Sequence, residues 1–445
     1  MTRDETVALF LQGREAWNAW AEKMLAERRV LEANGRWQVE AKDYAWWAAL
    51  RKPLKAKGRW ITEKELRSTF EPKNEETRAW MAAAEANFAY CLFRVWCVEG
   101  AKELASAEEN ESEDARPPVK TIELETDRID FSGFIFPGLT RFNSTTLSGL
   151  TLFDKAEFMG DARFGNASFF RHLSMISVIF WSAVCFRSAK FFEFARFNGT
   201  AFQGIADFSR ATFLNGGSFW AARFDRYMTF FGVKAERAFD FSGVYFVEVP
   251  RFNQTHFIQA PDLDDVSFPL PHFWRKGRAE LVAEYRAIRR VAIQAADYER
   301  EQMAFKGEIR SKRGTEHKWY HAAFWYGLAY DTLSDFGRSL SRPSLIWLVS
   351  IALFAFFYLA SSGKVENAFA KCPTAGANYE SALIISWKNA LPLIAIDSKA
   401  EEIARGCLYG SAPHGGIAIQ GLQKVWSALL LFLFLLAVRN QFKIK

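Results

Sequence analysis

The sequence predicts a parallel β-solenoid with a helical domain before it and a pair of membrane-crossing helices after it. Three observations carry this. Between residues 131 and 268, phenylalanine recurs on two interleaved ladders that each advance by eleven residues. One runs Phe131, Phe142, Phe153, Phe164, Met175, Phe186, Phe197, Phe208, Phe219, Phe230, Phe241, Phe252, Leu263. The other runs Phe136, Leu147, Phe158, Phe169, Phe180, Phe191, Phe202, Phe213, Phe224, Ala235, Phe246, Phe257, Phe268. So long a fixed register marks short repeats that each bury their apolar residue only against neighbouring coils. Residues 1–106 are rich in Trp and show helical patterning, and residues 342–445 hold two long uncharged runs.

The two ladders divide each eleven residues into a five and a six. A small residue often stands two positions before the Phe, as at Ala156, Ala162, Ala167, Ala189, Ala195, Ala206, Ala211 and Ala222. One large and one small inward side chain fill a narrow column without voids. Between them lie Gly, Asn, Asp, Ser and Arg, which suit tight turns and solvent. Steps of five and six rotate around an α-helix, so a helix cannot keep these residues on one face.

In these features the chain resembles the pentapeptide-repeat family in its Phe-centred form. The resemblance implies a right-handed, four-sided parallel β-solenoid over residues 120–270. At roughly 4.8 Å between strands, six coils make a rod on the order of 30 Å long. Met175, within 173–184, and Ala235 depart from the ladder, and local distortion is expected at both.

At 445 residues there is room for more than one folded unit. Residues 1–106 read as helical, with an apolar run over 77–105 and capping-box spacing at Thr62 and Glu65. Their eight tryptophans, Trp17, Trp20, Trp37, Trp46, Trp47, Trp60, Trp80 and Trp96, read as core. The acidic stretch 108–114 and Pro117–Pro118 fall in a linker, 107–119, and residues 120–128 lead into the first coil as its cap. Residues 271–341 read as a charged helical linker, with Leu281, Tyr285, Ile288, Ala292 and Ala295 at helical spacing. Its Arg289–Arg290 and Arg310–Arg313 clusters read as a solvated face.

Residues 343–363 are uncharged and long enough to span a hydrocarbon core. A second uncharged run, 425–438, reaches that length from about residue 420, with Lys424 snorkelling to the interface. Arg338, Arg342, Arg439, Lys443 and Lys445 lie outside this pair, whereas the connection carries balanced charge. The positive-inside rule then places both termini in the cytoplasm of a multi-pass inner-membrane protein. Cys372 and Cys407 share the far side and are a candidate disulfide.

Within the connection, residues 382–396 form an apolar piece broken by Lys388, Asn389 and Pro392, a candidate re-entrant segment. Helix, re-entrant segment, helix resembles the layout of two-span ion-channel subunits. That likeness implies an oligomeric pore, with Ser386, Lys388, Asn389 and Asp397 as candidate pore residues. No Thr-Val-Gly-Tyr-Gly filter is present, so potassium selectivity is not implied. The alternative leaves Lys388 and Asp397 as interfacial charges on a hairpin that tethers a protein-binding scaffold. The expected partners are therefore the lipid bilayer, further copies of the chain and a protein on the solenoid.

No nucleophile, metal or cofactor motif stands out, so neither an enzyme nor a cofactor is expected. His317 and His321 are four apart but lack the glutamate of a zinc-helix motif. Mimicry of duplex DNA, known in some pentapeptide-repeat proteins, needs a strongly acidic rod. Residues 131–270 carry 13 basic against 12 acidic residues, which argues against that role and against nucleic-acid binding.

Overall fold

The computed structural model describes residues 1–42, 69–95, 119–272, 278–361, 374–390, 398–409 and 416–441. The chain divides into two compact units, 1–312 and 313–445. The first is built on a parallel β-solenoid of about six coils, whose strands stack in four sheets.

Successive strands in a sheet pair in parallel at a constant stagger, as at Phe158↔Phe180, Phe180↔Phe202 and Phe202↔Phe224. Each ladder phenylalanine therefore lies on its counterpart in the next coil. Rings of Phe136 and Phe158 stack at 4.4 Å and 6°, and those of Phe202 and Phe224 at 4.5 Å and 1°. Around each coil, neighbouring rings meet edge to face, as Phe197 and Phe208 do at 5.5 Å and 87°. Both are favoured aromatic geometries, and the column they form is fully buried.

The five-and-six division reflects two kinds of corner. Two residues after each first-ladder position the backbone turns left-handed: Gly133, Ser144, Lys155, Asn166, Ser177, Ser188, Gly199, Arg210, Ala221, Gly232, Gly243, Gln254 and Asp265 all have positive φ. These turns close with a hydrogen bond across three residues, such as Ala156 N–H to Phe153 O at 2.9 Å. Second-ladder corners take one more residue to bend and, Gly216 after Phe213 excepted at φ 82°, do so without a left-handed residue.

Neither expected distortion occurs. Met175 is buried, and the strand before it pairs on both sides in the common register. At Ala235 large and small have changed places. Phe239 stands where the pattern has a small residue, and its ring reaches Phe213 at 5.0 Å and Phe257 at 5.5 Å, the two coils that Ala235 separates. Gly217, below Phe239 in the same sheet, supplies the room, since a Cβ there would lie 3.4 Å from both the Phe213 and Phe239 rings.

Both ends of the solenoid are capped, as exposed strand edges require. Helices α1 (Arg3–Leu11) and α2 (Arg14–Ala33) cover the first end. Phe10 packs on Phe131 at 4.7 Å, and the fully buried Trp17 donates its indole N–H to Ile135 O at 2.8 Å. Asn18 both donates to Gly133 O and accepts from Ile135 N–H, satisfying two backbone groups of the outermost coil. Helix α3 (Glu75–Ala83) packs its Trp80 against Met24 and Ala84.

The helical reading of residues 1–106 fails in two places. Residues Val39–Lys42 pair antiparallel with Thr69–Pro72. Residues Ala86–Asn87 and Cys91–Val95 are solenoid strands, pairing in parallel with Thr140–Arg141 and Thr146–Leu147. Phe88 stacks on Phe142 at 4.8 Å, so the column starts before the periodic sequence does. The waiting sheet edge overrides local propensity here. Residues Lys120–Leu124 then pair outside Cys91–Val95 as the outermost strand of that sheet. Thr62, Glu65, Trp46, Trp47, Trp60, Trp96 and residues 107–118 lie outside the described residues.

Helix α4 (Glu280–Gln294) closes the other end, and α5 (Tyr298–Lys312) packs on it. Tyr285, Ile288 and Ala292 are buried in the same apolar cluster as Phe257 and Phe268. Tyr285 donates to Pro269 O at 2.6 Å, and Gln294 to Phe257 O at 2.5 Å. The expected solvated arginine face is partly engaged instead. Arg289 reaches Glu301 at 3.5 Å and stacks over Phe305, and Arg310 donates to Pro271 O at 3.1 Å.

The second unit comprises α6 (Ala322–Ser334), α7 (Ser341–Ser361), α8 (Thr374–Ala390), α9 (Ser398–Tyr409) and α10 (Ile417–Gln441). Helices α7 and α10 are long and apolar enough to cross a membrane, and only 28% of the most apolar stretch of each is buried. Leu345, Val349, Leu353 and Phe356 of α7 are exposed, as are Leu422, Val425 and Phe432 of α10.

Candidate functional site

The polar groups of the second unit converge between these apolar helices. Helix α8 is the hub, packing on α7, α9 and α10. Its buried residues Ala382, Ile385, Ser386 and Asn389 recur at helical spacing and form one face. Ser386, fully buried, donates to Ile351 O of α7 at 2.7 Å. Gln423 of α10 donates to both Ser386 O and Ser386 Oγ at 2.8 Å and accepts from the Tyr358 hydroxyl of α7 at 2.7 Å. Asn389 donates to the same hydroxyl at 3.2 Å. Ser361 and Tyr409 share a further hydrogen bond at 2.9 Å. One network thus ties α7, α8 and α10 together through groups that an apolar surrounding leaves no other partner.

A charged cluster adjoins it. Lys388 of α8 is ion-paired with Glu401 of α9, which Arg405 also holds at 2.6 Å. Arg405 reaches on to Gln420 of α10 at 3.1 Å. Lys388 is therefore paired within its own chain, and Glu401 with two cations. Outside these contacts, an open apolar groove of about 440 Å³ runs between α7 and α10, lined by Leu345, Val349, Leu353, Phe354, Leu422 and Trp426.

Of the candidate pore residues, Ser386, Lys388 and Asn389 thus meet on α8, the first and last in the buried network. Asp397 and residues 391–396 lie outside the described residues, as does Cys372. Cys407 is disulfide-bonded, and its partner is not among the described residues. Sequence reasoning missed Tyr358, Glu401, Arg405, Tyr409, Gln420 and Gln423. The available signal was Gln420 and Gln423, two uncharged polar residues three apart at the start of an apolar run. Among the described residues no group of His, Cys, Asp or Glu is arranged to hold a metal ion, and His317 and His321 belong to none.

Ionisable groups are also buried along one solenoid face. Burial pushes the Asp161 carboxyl up to about 6, opposed by the hydrogen bond from Ser182 at 2.6 Å and by nearby Arg163. Asp207 is raised for the same reason, although Ser209 N–H donates to it at 2.8 Å and Arg187 lies at 3.5 Å. Burial likewise lifts the Cys185 thiol to about 12, which keeps it protonated and unreactive. Paired with turn residues of their own or the adjacent coil, these carboxylates hold corners.

No protein-family model matches this chain, and comparison with curated proteins gives no match either. The stacked phenylalanine ladder is compatible with pentapeptide repeats.

Proposed function

We propose that this chain is a membrane-anchored pentapeptide-repeat protein whose C-terminal helices form one subunit of an oligomeric, ion-channel-like pore, with the solenoid as its cytoplasmic sensor or gate. The observation that carries the reading is the seat of α8. A tether needs one spanning helix, but here a third, shorter helix is held between two apolar ones by Ser386, Asn389, Gln423 and Tyr358. Polar side chains placed among apolar helices are costly and favour a functional role. The open groove between α7 and α10 suits a neighbouring subunit, which a narrow two-span pore requires. Both termini are assigned to the cytoplasm from the basic flanks, and Cys372 is proposed as the partner of Cys407 on the opposite side.

A second reading, a tethered scaffold without conduction, is favoured by Trp181 and Trp220, exposed side chains on the solenoid that suit a protein partner. Planar-bilayer recording of the purified full-length protein separates the two. Discrete conductance steps, altered in ion selectivity by Lys388→Glu, support the pore. Silence from a verified reconstituted oligomer supports the scaffold.

A further inference from the structure

An aromatic cluster next to the candidate spans is largely exposed. Trp319 and Tyr320, just before α6, are 71% and 60% exposed, and Trp325 and Tyr326 on α6 are 56% and 75% exposed. They are held in place rather than trailing. Trp325 donates its indole N–H to Trp319 O at 2.8 Å, and the buried pair Arg313–Asp331, at 2.9 Å, fixes the preceding chain to α6. Helix α6 packs on both α7 and α10. It ends in a left-handed turn at Asp335, Phe336 and Gly337, where Phe336 is buried and Gly337 O accepts from Asn440 near the end of α10. The helix that carries the cluster therefore ends where the first apolar helix begins and the second ends.

We propose that α6 and the residues from Lys318 form a collar that lies in the headgroup layer of an anionic lipid leaflet. Trp and Tyr concentrate at that level because each joins an apolar ring to a polar N–H or O–H. The charge of this end fits the same surface. Lys318, Arg342 and Arg439 are exposed, whereas Asp331 is buried against Arg313 and Asp335 lies 3.7 Å from Arg342. Cations at the membrane surface are attracted to anionic headgroups. This inference rests on α7 and α10 spanning the bilayer but not on conduction.

The test uses the full chain in nanodiscs of mixed phosphatidylglycerol and phosphatidylcholine, with lipids brominated either near the headgroup or near the chain end. Fluorescence that disappears in Trp319→Phe/Trp325→Phe reports the collar, and fluorescence that disappears in Trp347→Phe reports α7. The expected result is that headgroup-level bromine quenches the collar component, and that this quenching weakens when phosphatidylglycerol is left out. A collar component quenched by neither lipid, beside an α7 component that is quenched, overturns the collar and leaves the spans standing. Quenching indifferent to phosphatidylglycerol overturns the anionic preference. If neither component is quenched, the spanning assignment falls and the collar with it.

Discussion

The two units of this chain use opposite rules of burial. In the solenoid the interior is a column of phenylalanine and the polar residues take the outer positions and corners. In the helical unit Ser386, Asn389 and Gln423 are inside, while Leu345, Val349, Phe356, Val425 and Phe432 face outward. Water drives the first arrangement, because apolar area removed from it is the main stabilising term. The second suits surroundings as apolar as the exposed leucines, where polar groups turn inward to find partners. The contrast, more than helix length, supports a membrane reading for the second unit.

Breaking the solenoid side of this contrast produces the largest effect. Phe202, stacked on Phe180 and Phe224, is fully buried, and Phe202→Ala is expected to cost about 3–5 kcal/mol. Hydrogen exchange across the coils measures it, with protection lost first in the coils flanking residue 202. Loss of protection confined to the chain termini would mean that the column is not the source of stability.

The swapped pair gives a sharper test of the same packing. Phe239→Ala is expected to cost about 3 kcal/mol, and adding Ala235→Phe to recover the larger part of it. Ala235→Phe alone should destabilise by about 1–3 kcal/mol, because Phe239 already occupies the space. Additive losses in the double variant would show that the two positions do not share one space.

The solenoid's buried carboxylates make stability depend on pH. With its folded value raised to about 6 from 3.8, Asp161 keeps its proton in the folded chain at pH values where the unfolded chain releases it. The contribution of this group to stability is then fully present below about 4 and is lost as pH rises through 6, an amount on the order of 3 kcal/mol. Asp161→Asn should flatten that slope without abolishing it, because Asp207 is raised as well. Urea unfolding followed across pH 4 to 7 reads the difference.

On the helical side smaller losses are expected. Tyr358→Phe removes the donor to Gln423 and the acceptor for Asn389, and is expected to cost about 1 kcal/mol, as single hydrogen bonds between membrane helices do. Thermal unfolding in detergent measures it; a loss as large as that of Phe202→Ala would erase the distinction between the two interiors. Smallest is a gain. Ala221 sits in a left-handed corner with φ of 55°, and Ala221→Gly is expected to stabilise the coil by about 0.5–1 kcal/mol, read as slower exchange at that corner.

The sequence made the ladder visible because one inward residue per short strand leaves a fixed period that no helix imitates. The corners were half visible. Gly, Asn, Ser and Asp announce a left-handed residue, but Lys155, Arg210, Ala221 and Gln254 occupy the same position without announcing it. The Ala235–Phe239 exchange was hidden because each residue looks like a fault until the other is seen to fill its place. Strands at 86–95 were hidden too, since they lie outside the repeat and their partners within it are some fifty residues away. The α8 network was the least legible. Ser386 and Asn389 stood out in a broken apolar run, yet their partners Tyr358 and Gln423 come from two other helices, and no spacing along the chain encodes that meeting.

Sided labelling tests the inverted unit most directly. Glu316→Cys, ahead of α6, and Glu402→Cys, in α9, place thiols at exposed positions on either side of α7 in the chain. With sealed vesicles and a membrane-impermeant maleimide, and the unsubstituted protein as the blank for native thiols, the two are expected to react from opposite faces. Reaction of both from the same face would mean that α7 does not cross the membrane.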